Sequence, residues 1–321
     1  MKKYLFLAVC CMLATGFTAC SDDDDNEGGG SGTPANNAPN VSESLGIEHL
    51  VTSTSGAENA TFNYSNGKMT NGVTNGNTNF VITENPLKIN MSNIGEYGSY
   101  ISNITDIKTN ANGFVTYAKS KSEETYEEET DSYEGTITFE YDADGHLTKQ
   151  VVTESEDGYT YTYPTTYTWV NGNLTKIVTI DEDEEYSYTS TYEFEYASDA
   201  SVNVNPGIFF DGMYDDDYLC DFMWYAALLG KTTKNIPTKI TYTSVEKENG
   251  ETTYEYSSSK TVDVTYNPNG SVESVTYTDV NYGNPSTVYY SYNGEQQESN
   301  IQTGISSKTI KSPRKMRHHR K

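Results

Sequence analysis

Between residues 60 and 305 apolar and polar positions alternate. Ile137, Phe139 and Tyr141 share one side and Thr138 and Glu140 the other, while Tyr192, Phe194 and Tyr196 oppose Glu193 and Glu195. Val262, Val264 and Tyr266 oppose Asp263 and Thr265, and Val288, Tyr290 and Tyr292 repeat the pattern. A period of two with one polar face belongs to an antiparallel sheet wetted on one side. About a dozen such segments fit between the turn signals. The expected fold is mainly β: a long, curved antiparallel meander of about a dozen strands.

The turns recur. Tyr141-Asp-Ala-Asp-Gly145-His-Leu147 matches Tyr266-Asn-Pro-Asn-Gly270-Ser-Val272, with shorter forms at Trp169–Leu174 and Tyr64–Met69. Asn-Gly pairs at 112–113, 249–250 and 293–294 mark further turns, because Asn and Gly accept the positive φ that tight hairpins need. One segment breaks the alternation. In residues 208–230, Tyr214, Tyr218, Phe222, Tyr225 and Leu229 fall at helical spacing and form one apolar stripe. Asp215 to Asp217 suit the positive end of a helix dipole, and Gly230 suits a C-cap. The expected helix covers about 213–229. Tyr214, Tyr218, Phe222 and Tyr225 are either a plug packed onto the sheet's apolar face or a binding stripe.

The Tyr-x-x-x-Gly-x-Leu hairpin at 141–147, the aromatic helix, and the stretch Gly230-Lys-Thr-Thr-Lys-Asn-Ile-Pro-Thr-Lys-Ile240 entering a strand together carry a resemblance. Over roughly residues 45–300 the chain resembles a group of Bacteroidetes surface lipoproteins built on a β-rich domain of unknown function. The hairpins alone are also similar to tyrosine-aspartate repeats of bacterial surface toxins. The resemblance implies a large, curved, mostly antiparallel sheet, and it brings no established activity and no catalytic residues.

The ends carry addresses. Lys2 and Lys3 precede an apolar stretch from Leu5 to Thr18, too short to span a bilayer comfortably, and Phe17-Thr18-Ala19-Cys20 is similar to a bacterial lipobox. That likeness implies cleavage before Cys20, its lipidation by the lipoprotein maturation machinery, and insertion of the acyl chains in the outer membrane. Ser21, Asp22, Asp23, Asp24 and Asp25 resemble the acidic export signal of surface-exposed lipoproteins; a solvated spacer is the other reading. The expected organisation is a signal peptide over 1–19, lipidated Cys, export signal and flexible linker over 20–44, and a β domain over 45–305. A basic, disordered tail follows over 306–321.

Charge sharpens this picture. The formal net charge is −25, yet Lys308 to Lys321 holds seven Lys/Arg, two His and no acid. Removing those seven, with Lys2 and Lys3, from the 21 basic residues leaves 12 against 46 acids, or −34 on residues 22–307. That excludes a nucleic-acid binder. Val, Ile, Leu and Phe make only 56 of 321 residues, which on its own would suggest disorder, but 28 Tyr restore a core suited to strands. Tyr can fill a thin sheet's core or form a platform for sugars and apolar ligands.

Chemistry is scarce. Cys20 and Cys220 remain after signal removal, so with Cys20 lipidated no internal disulfide forms. Cys220 suits a buried small residue, and His49 and His146 fit no triad or zinc spacing. Acidic runs such as Glu123-Glu124 and Asp181 to Glu185 read as solvated strand ends. Asp142-Ala-Asp144-Gly145 is a fragment of a calcium loop without its distal ligands, so no cofactor is expected beyond that calcium option. The function expected is a non-enzymatic, lipid-anchored outer-membrane protein facing the cell surface, binding a glycan, peptide or partner protein on its Tyr-rich sheet. The alternative is a periplasm-facing carrier of a lipid or lipoprotein in the sheet's concave face.

Overall fold

The computed structural model describes residues 33–34 and 37–293, apart from 75–77, 95–97, 127–128, 157–158, 183–184 and 198–222. Its elements are β1 (Thr33–Pro34), α1 (Val41–Leu45), β2 (Val51–Gly56), β3 (Ala60–Ser65), β4 (Lys68–Thr74), β5 (Thr78–Thr83), β6 (Lys88–Ile94), β7 (Gly98–Thr109), β8 (Val115–Tyr126) and β9 (Glu129–Tyr141). There follow β10 (Leu147–Glu156), β11 (Tyr159–Val170), β12 (Asn173–Glu182), β13 (Tyr186–Glu195), β14 (Lys239–Glu248), β15 (Glu251–Tyr266), β16 (Val272–Asp279) and β17 (Pro285–Tyr292). From β2 onward each strand pairs antiparallel with the next, and β17 pairs back onto β2, from Val288↔Gly56 to Tyr292↔Val51. At that seam the Leu50 N–H donates to Asn293 Oδ1 at 3.3 Å, and the Asn293 N–H returns to the Leu50 carbonyl at 3.1 Å.

The sheet is therefore mainly β and antiparallel as expected, but it is a closed sixteen-stranded barrel, not an open meander of about a dozen strands. The closing strand β2, VTSTSG, has almost no apolar alternation to announce it. Its contribution is the unpaired backbone that β17 needs, since a ring leaves no edge.

The registers sort the wall into two faces. Ile137, Val152, Ile177, Ile240 and Val262 are buried on the inner one. The outer face carries cross-strand ion pairs: Lys121 with Glu134 at 3.0 Å, Lys176 with Glu193 at 3.2 Å and Lys239 with Glu195 at 2.7 Å. A lumen of this width needs filling, because only narrow barrels are closed by wall side chains alone. Residues 223–236 supply the filling. The Tyr225 ring lies edge-on to Phe62 of β3, centroids 5.5 Å apart, while neighbouring Trp224 meets Tyr167 of β11 at 6.3 Å. Those two strands stand eight apart around the ring in either direction, so this segment bridges the lumen. Gly72 makes room for the Phe80 ring, which a Cβ would approach to 2.4 Å and which packs beside Phe62.

The helix expected over 213–229 is described only from Met223, and Tyr214, Tyr218 and Phe222 lie outside the described residues. Met223–Tyr225 form one helical turn closed by Leu228 N–H to Met223 O at 2.8 Å and Ala227 N–H to Trp224 O at 3.1 Å. The left-handed residue of that cap is Ala227, φ 59°, and not the expected Gly230. Gly230 instead pairs with His146, where a Cβ would sit 2.5 Å from the Gly145 carbonyl. Beyond it the chain crosses the hairpin turns, Lys231 and Lys234 donating their N–H groups to the carbonyls of Gly145 and Gly172, each at 2.9 Å. The stretch Ala38–Val41, read from sequence as linker, packs at the same end, with Val41 N–H on the Gly67 carbonyl at 2.8 Å.

The repeated aromatic before the turns now has a role at most of them, Tyr266, 43% exposed, being the exception. Strands running toward this plugged end carry Tyr64, Tyr141, Trp169 and Tyr292 as their last or next-to-last residue, with Tyr196 just past the end of β13. Each donates its hydroxyl or indole N–H to a carbonyl at the start of the preceding strand: Val51 (2.9 Å), Val115 (2.6 Å), Leu147 (2.7 Å), Val272 (2.7 Å) and Leu174 respectively. The ring fills the lumen while the polar tip satisfies a carbonyl beside the turn, where a register shift interrupts most of these ladders.

Removing one latch leaves a buried carbonyl without its donor, so Tyr292→Phe should cost about 1–2 kcal/mol in urea unfolding with little change in slope. The hydroxyls also set an alkaline limit. Burial pushes the Tyr196 hydroxyl up to about 12 from 10.0, a Thr233 hydrogen bond partly opposing the rise. A raised phenol favours the folded state fully below pH 10, and that contribution disappears as pH climbs toward 12. Unfolding followed from pH 9 to 12 should show a fall of about 2 kcal/mol, which Tyr196→Phe should reduce.

Candidate binding site

The opposite end of the barrel has a different inner wall. In the half of the ring formed by β7 to β15, inward positions near strand ends 126, 156, 182 and 248 are tyrosines and carboxylates, set in register across the ladder. Glu124 faces Tyr100, Glu154 faces Tyr161, and Tyr188 stands between Asp181 and Glu246. Glu246 faces Tyr254 on its other side.

The aromatic rings form a connected group. The Tyr188 and Tyr242 hydroxyls lie 2.8 Å apart, Tyr192 and Tyr242 have centroids at 4.8 Å with planes at 45°, and Tyr242 leans on Tyr256 at 6.2 Å. Tyr254 is 50% and Tyr256 44% exposed although both face inward; they lie in the part of β15 that precedes its pairing with β16 at Lys260, where water has access. Period-two alternation puts these tyrosines on one side because Tyr186, Tyr188 and Tyr192, like Tyr161 and Tyr163, are spaced in even steps.

Sequence reasoning placed Glu123-Glu124 and Asp181 to Glu185 among solvated strand ends. Glu123 does face out, but Glu124 and Asp181 face the lumen, each opposite an inward tyrosine. The signal that could have found them is parity: an acid an even number of residues from an inward Phe or Tyr shares its side. The tyrosines gather on the inner wall of a closed barrel and not on an open concave sheet. Of the four residues proposed for the helical stripe, the described one, Tyr225, is buried at the plugged end, away from this group.

The Asp142–Asp144–His146 turn holds the described cluster of potential metal ligands, their donor atoms within 4.8 Å of one another. Asp142 is committed there to the turn: Oδ1 accepts the N–H groups of Asp144 at 3.0 Å and His146 at 2.8 Å, and Oδ2 meets His146 Nδ1 at 3.0 Å. Burial works to raise the Asp142 carboxyl, but these hydrogen bonds and the His146 ring hold it below its ordinary value. His146 stacks on Trp169 at 4.5 Å and His49 packs against Tyr292 at 6.1 Å, so both imidazoles belong to the plugged end. Cys20, Ser21 to Asp25 and Cys220 lie outside the described residues.

No protein-family profile matches the chain, and no curated protein matches it. Among solved structures it is similar to a porin-like protein from Bacteroides vulgatus, at 14% identity and a TM-score of 0.52, over 77% of this chain and 100% of the other. A porin-like protein from Bacteroides uniformis aligns at 15% identity with a TM-score of 0.44, over 81% and 100%. The first likeness is one of fold, a β-rich barrel. Among the described residues no helix is long and apolar enough to cross a membrane, which leaves strands aside.

If the open-end tyrosines are in contact with water and the latches are not, tetranitromethane at neutral pH should nitrate Tyr254 and Tyr256 well before Tyr225 and Tyr292. Peptide mapping of the 3-nitrotyrosines checks the order; equal modification of both groups would contradict a closed plug.

Proposed function

We propose that this protein is a non-enzymatic outer-membrane lipoprotein whose barrel stands in water beside the membrane, tethered through Cys20. The single observation that carries this reading is the polarity of the wall. A barrel that crosses a bilayer turns apolar side chains to lipid and polar ones to its lumen. Here the core residues are inside and the Lys–Glu pairs are outside, on strands all around β8 to β14. A lysine on a lipid-facing wall costs about 2–4 kcal/mol at the midplane, and among the described residues the outer wall's apolar side chains, such as Val81, Ile101 and Tyr289, are scattered among Ser, Thr and charges and form no continuous band. The lipobox at 17–20 supplies the membrane attachment that the wall does not, and Ser21 to Asp25 the export signal for surface display.

In this reading the open end is the working surface. Its tyrosines offer flat amphipathic rings and its carboxylates accept hydrogen bonds, a combination suited to a glycan, peptide or partner protein. Residues Met223–Leu229 and Ile236 join the hydrophobic core inside the barrel, which supports the open end over the carrier alternative.

Phase separation in Triton X-114 tests the reading. The mature wild-type chain should partition into the detergent phase and Cys20→Ala into the aqueous phase, folded and monodisperse without detergent. Retention of Cys20→Ala in detergent would mean that the barrel itself meets lipid.

A further inference from the structure

Closure of the ring covers strand edges only as high as the shorter strands reach. β15 has 16 residues and β16 pairs with its last seven, Lys260–Tyr266, which leaves Glu251–Ser259 with a ladder to β14 alone among the described residues. At the foot of this stretch the Val280 N–H donates to the Ser259 carbonyl at 2.9 Å, so the backbone groups of Ser259 point away from β14. By the period of two, the N–H and C=O groups of Ser257 and Glu255 point the same way. Every residue from Glu251 to Ser257 is exposed, whichever side of the wall its side chain takes, so this edge is open to water.

Proteins blunt such edges with lysine, proline or bulges, because a bare edge is a template for another strand. The sequence ETTYEYSSS of 251–259 has no Lys and no Pro, and below the register shift at Glu246/Lys247 its pairing with β14 is regular from Tyr254 to Ser259. That stretch has the length of an ordinary strand, and Tyr favours one. The β16–β17 turn at its foot holds Val280, 55% exposed, and Tyr282, 77% exposed, so apolar surface adjoins the edge. The backbone decides what fits. Ser257 and Glu255 each offer a donor and an acceptor at the two-residue repeat of a strand, about 7 Å, and an extended polypeptide presents the complementary groups at the same repeat. Charge then argues against a second copy. Each chain carries a net −25, and 251–259 has no lysine to set against Glu255. Elsewhere on the outer wall the adjoining strand supplies one, Lys121 to Glu134 and Lys176 to Glu193, whereas Glu255 stands opposite Val245.

We propose that the open edge of β15, over Tyr254–Ser259, is a docking site for an extended strand of a partner protein, added antiparallel with a basic residue opposite Glu255. The proposal rests on the reading of the open end as the binding surface and narrows its ligand to a polypeptide taken up by its backbone. The added strand continues the wall upward where β16 stops, with its outward side chains beside Glu255 and Ser257 and its inward ones beside Tyr254 and Tyr256.

The test uses the full mature chain in mild detergent and a fluorescein-labelled peptide, Thr-Val-Thr-Val-Lys-Val, read by anisotropy. Paired antiparallel, its Thr and Lys residues oppose Ser259, Ser257 and Glu255, and their N–H groups face β15. N-methylation of the Thr and Lys residues should abolish binding, whereas N-methylation of the Val residues should leave it. Ser257→Pro removes an edge donor without touching the ladder to β14, so it should weaken binding about tenfold with the unfolding midpoint unchanged. Glu255→Lys should weaken it about threefold, and a peptide with Glu in place of Lys should recover it. In hydrogen exchange the amides of 251–259 should be fast in the free chain and slowed by the peptide. Equal effects of the two N-methylation patterns, binding indifferent to Ser257→Pro, or slow exchange of 251–259 without peptide would each overturn the proposal. So would a concentration-dependent dimer lost in Ser257→Pro, since the edge would then serve a second copy. Retention of the chain on mucin or polysaccharide with no binding of the peptide defeats the strand edge alone; no retention on any probe defeats the open end as a binding surface as well.

Discussion

Sixteen strands make a ring too wide for the side chains of its wall to meet across the middle, and the rest of this structure follows from that gap. Packing demands that the gap be filled or wetted. The chain does one at each end. At the plugged end residues 223–236 cross the lumen, α1 closes over the rim, and aromatic side chains reach inward. At the other end the wall is lined with tyrosine and carboxylate that tolerate water.

Tyrosine is the residue that makes this division work with few aliphatics. Its ring covers about as much apolar surface as phenylalanine, while the hydroxyl reaches a carbonyl that the bulge beside each turn leaves over. The same residue at the open end presents its ring and hydroxyl to solvent. One residue type therefore serves as filler, latch and platform, and its position along the strand decides which. The outer wall is left to Ser, Thr and cross-strand ion pairs, each pair a small contribution by itself, together enough to keep the outside hydrated.

What the sequence made legible was local. The alternation around Ile137, Tyr192 and Val288 identified strands and their buried sides, and the aromatic-to-glycine turns at 141–145 and 266–270 identified hairpins. The ring itself was not legible, because Val51 and Tyr292 pair across most of the chain and β2 is nearly all Ser and Thr. Ala227 hid the helix end: its left-handed conformation is held by burial and two hydrogen bonds, where a glycine would have been the signal. That Glu124 and Asp181 face inward was not legible, because an acid on a strand looks solvated by an outer face until the closed ring is known.

The seam between the first and last strands of the ring has a consequence for how the molecule comes into being. Leu50 and Asn293, bonded to each other, are 243 positions apart. A chain emerging from its amino end makes β2 early and β17 last, so the edge of β2 stays uncovered through the synthesis of everything between. Its brevity and its Ser/Thr composition, poor material for sticking to a stranger's edge, are what let it wait.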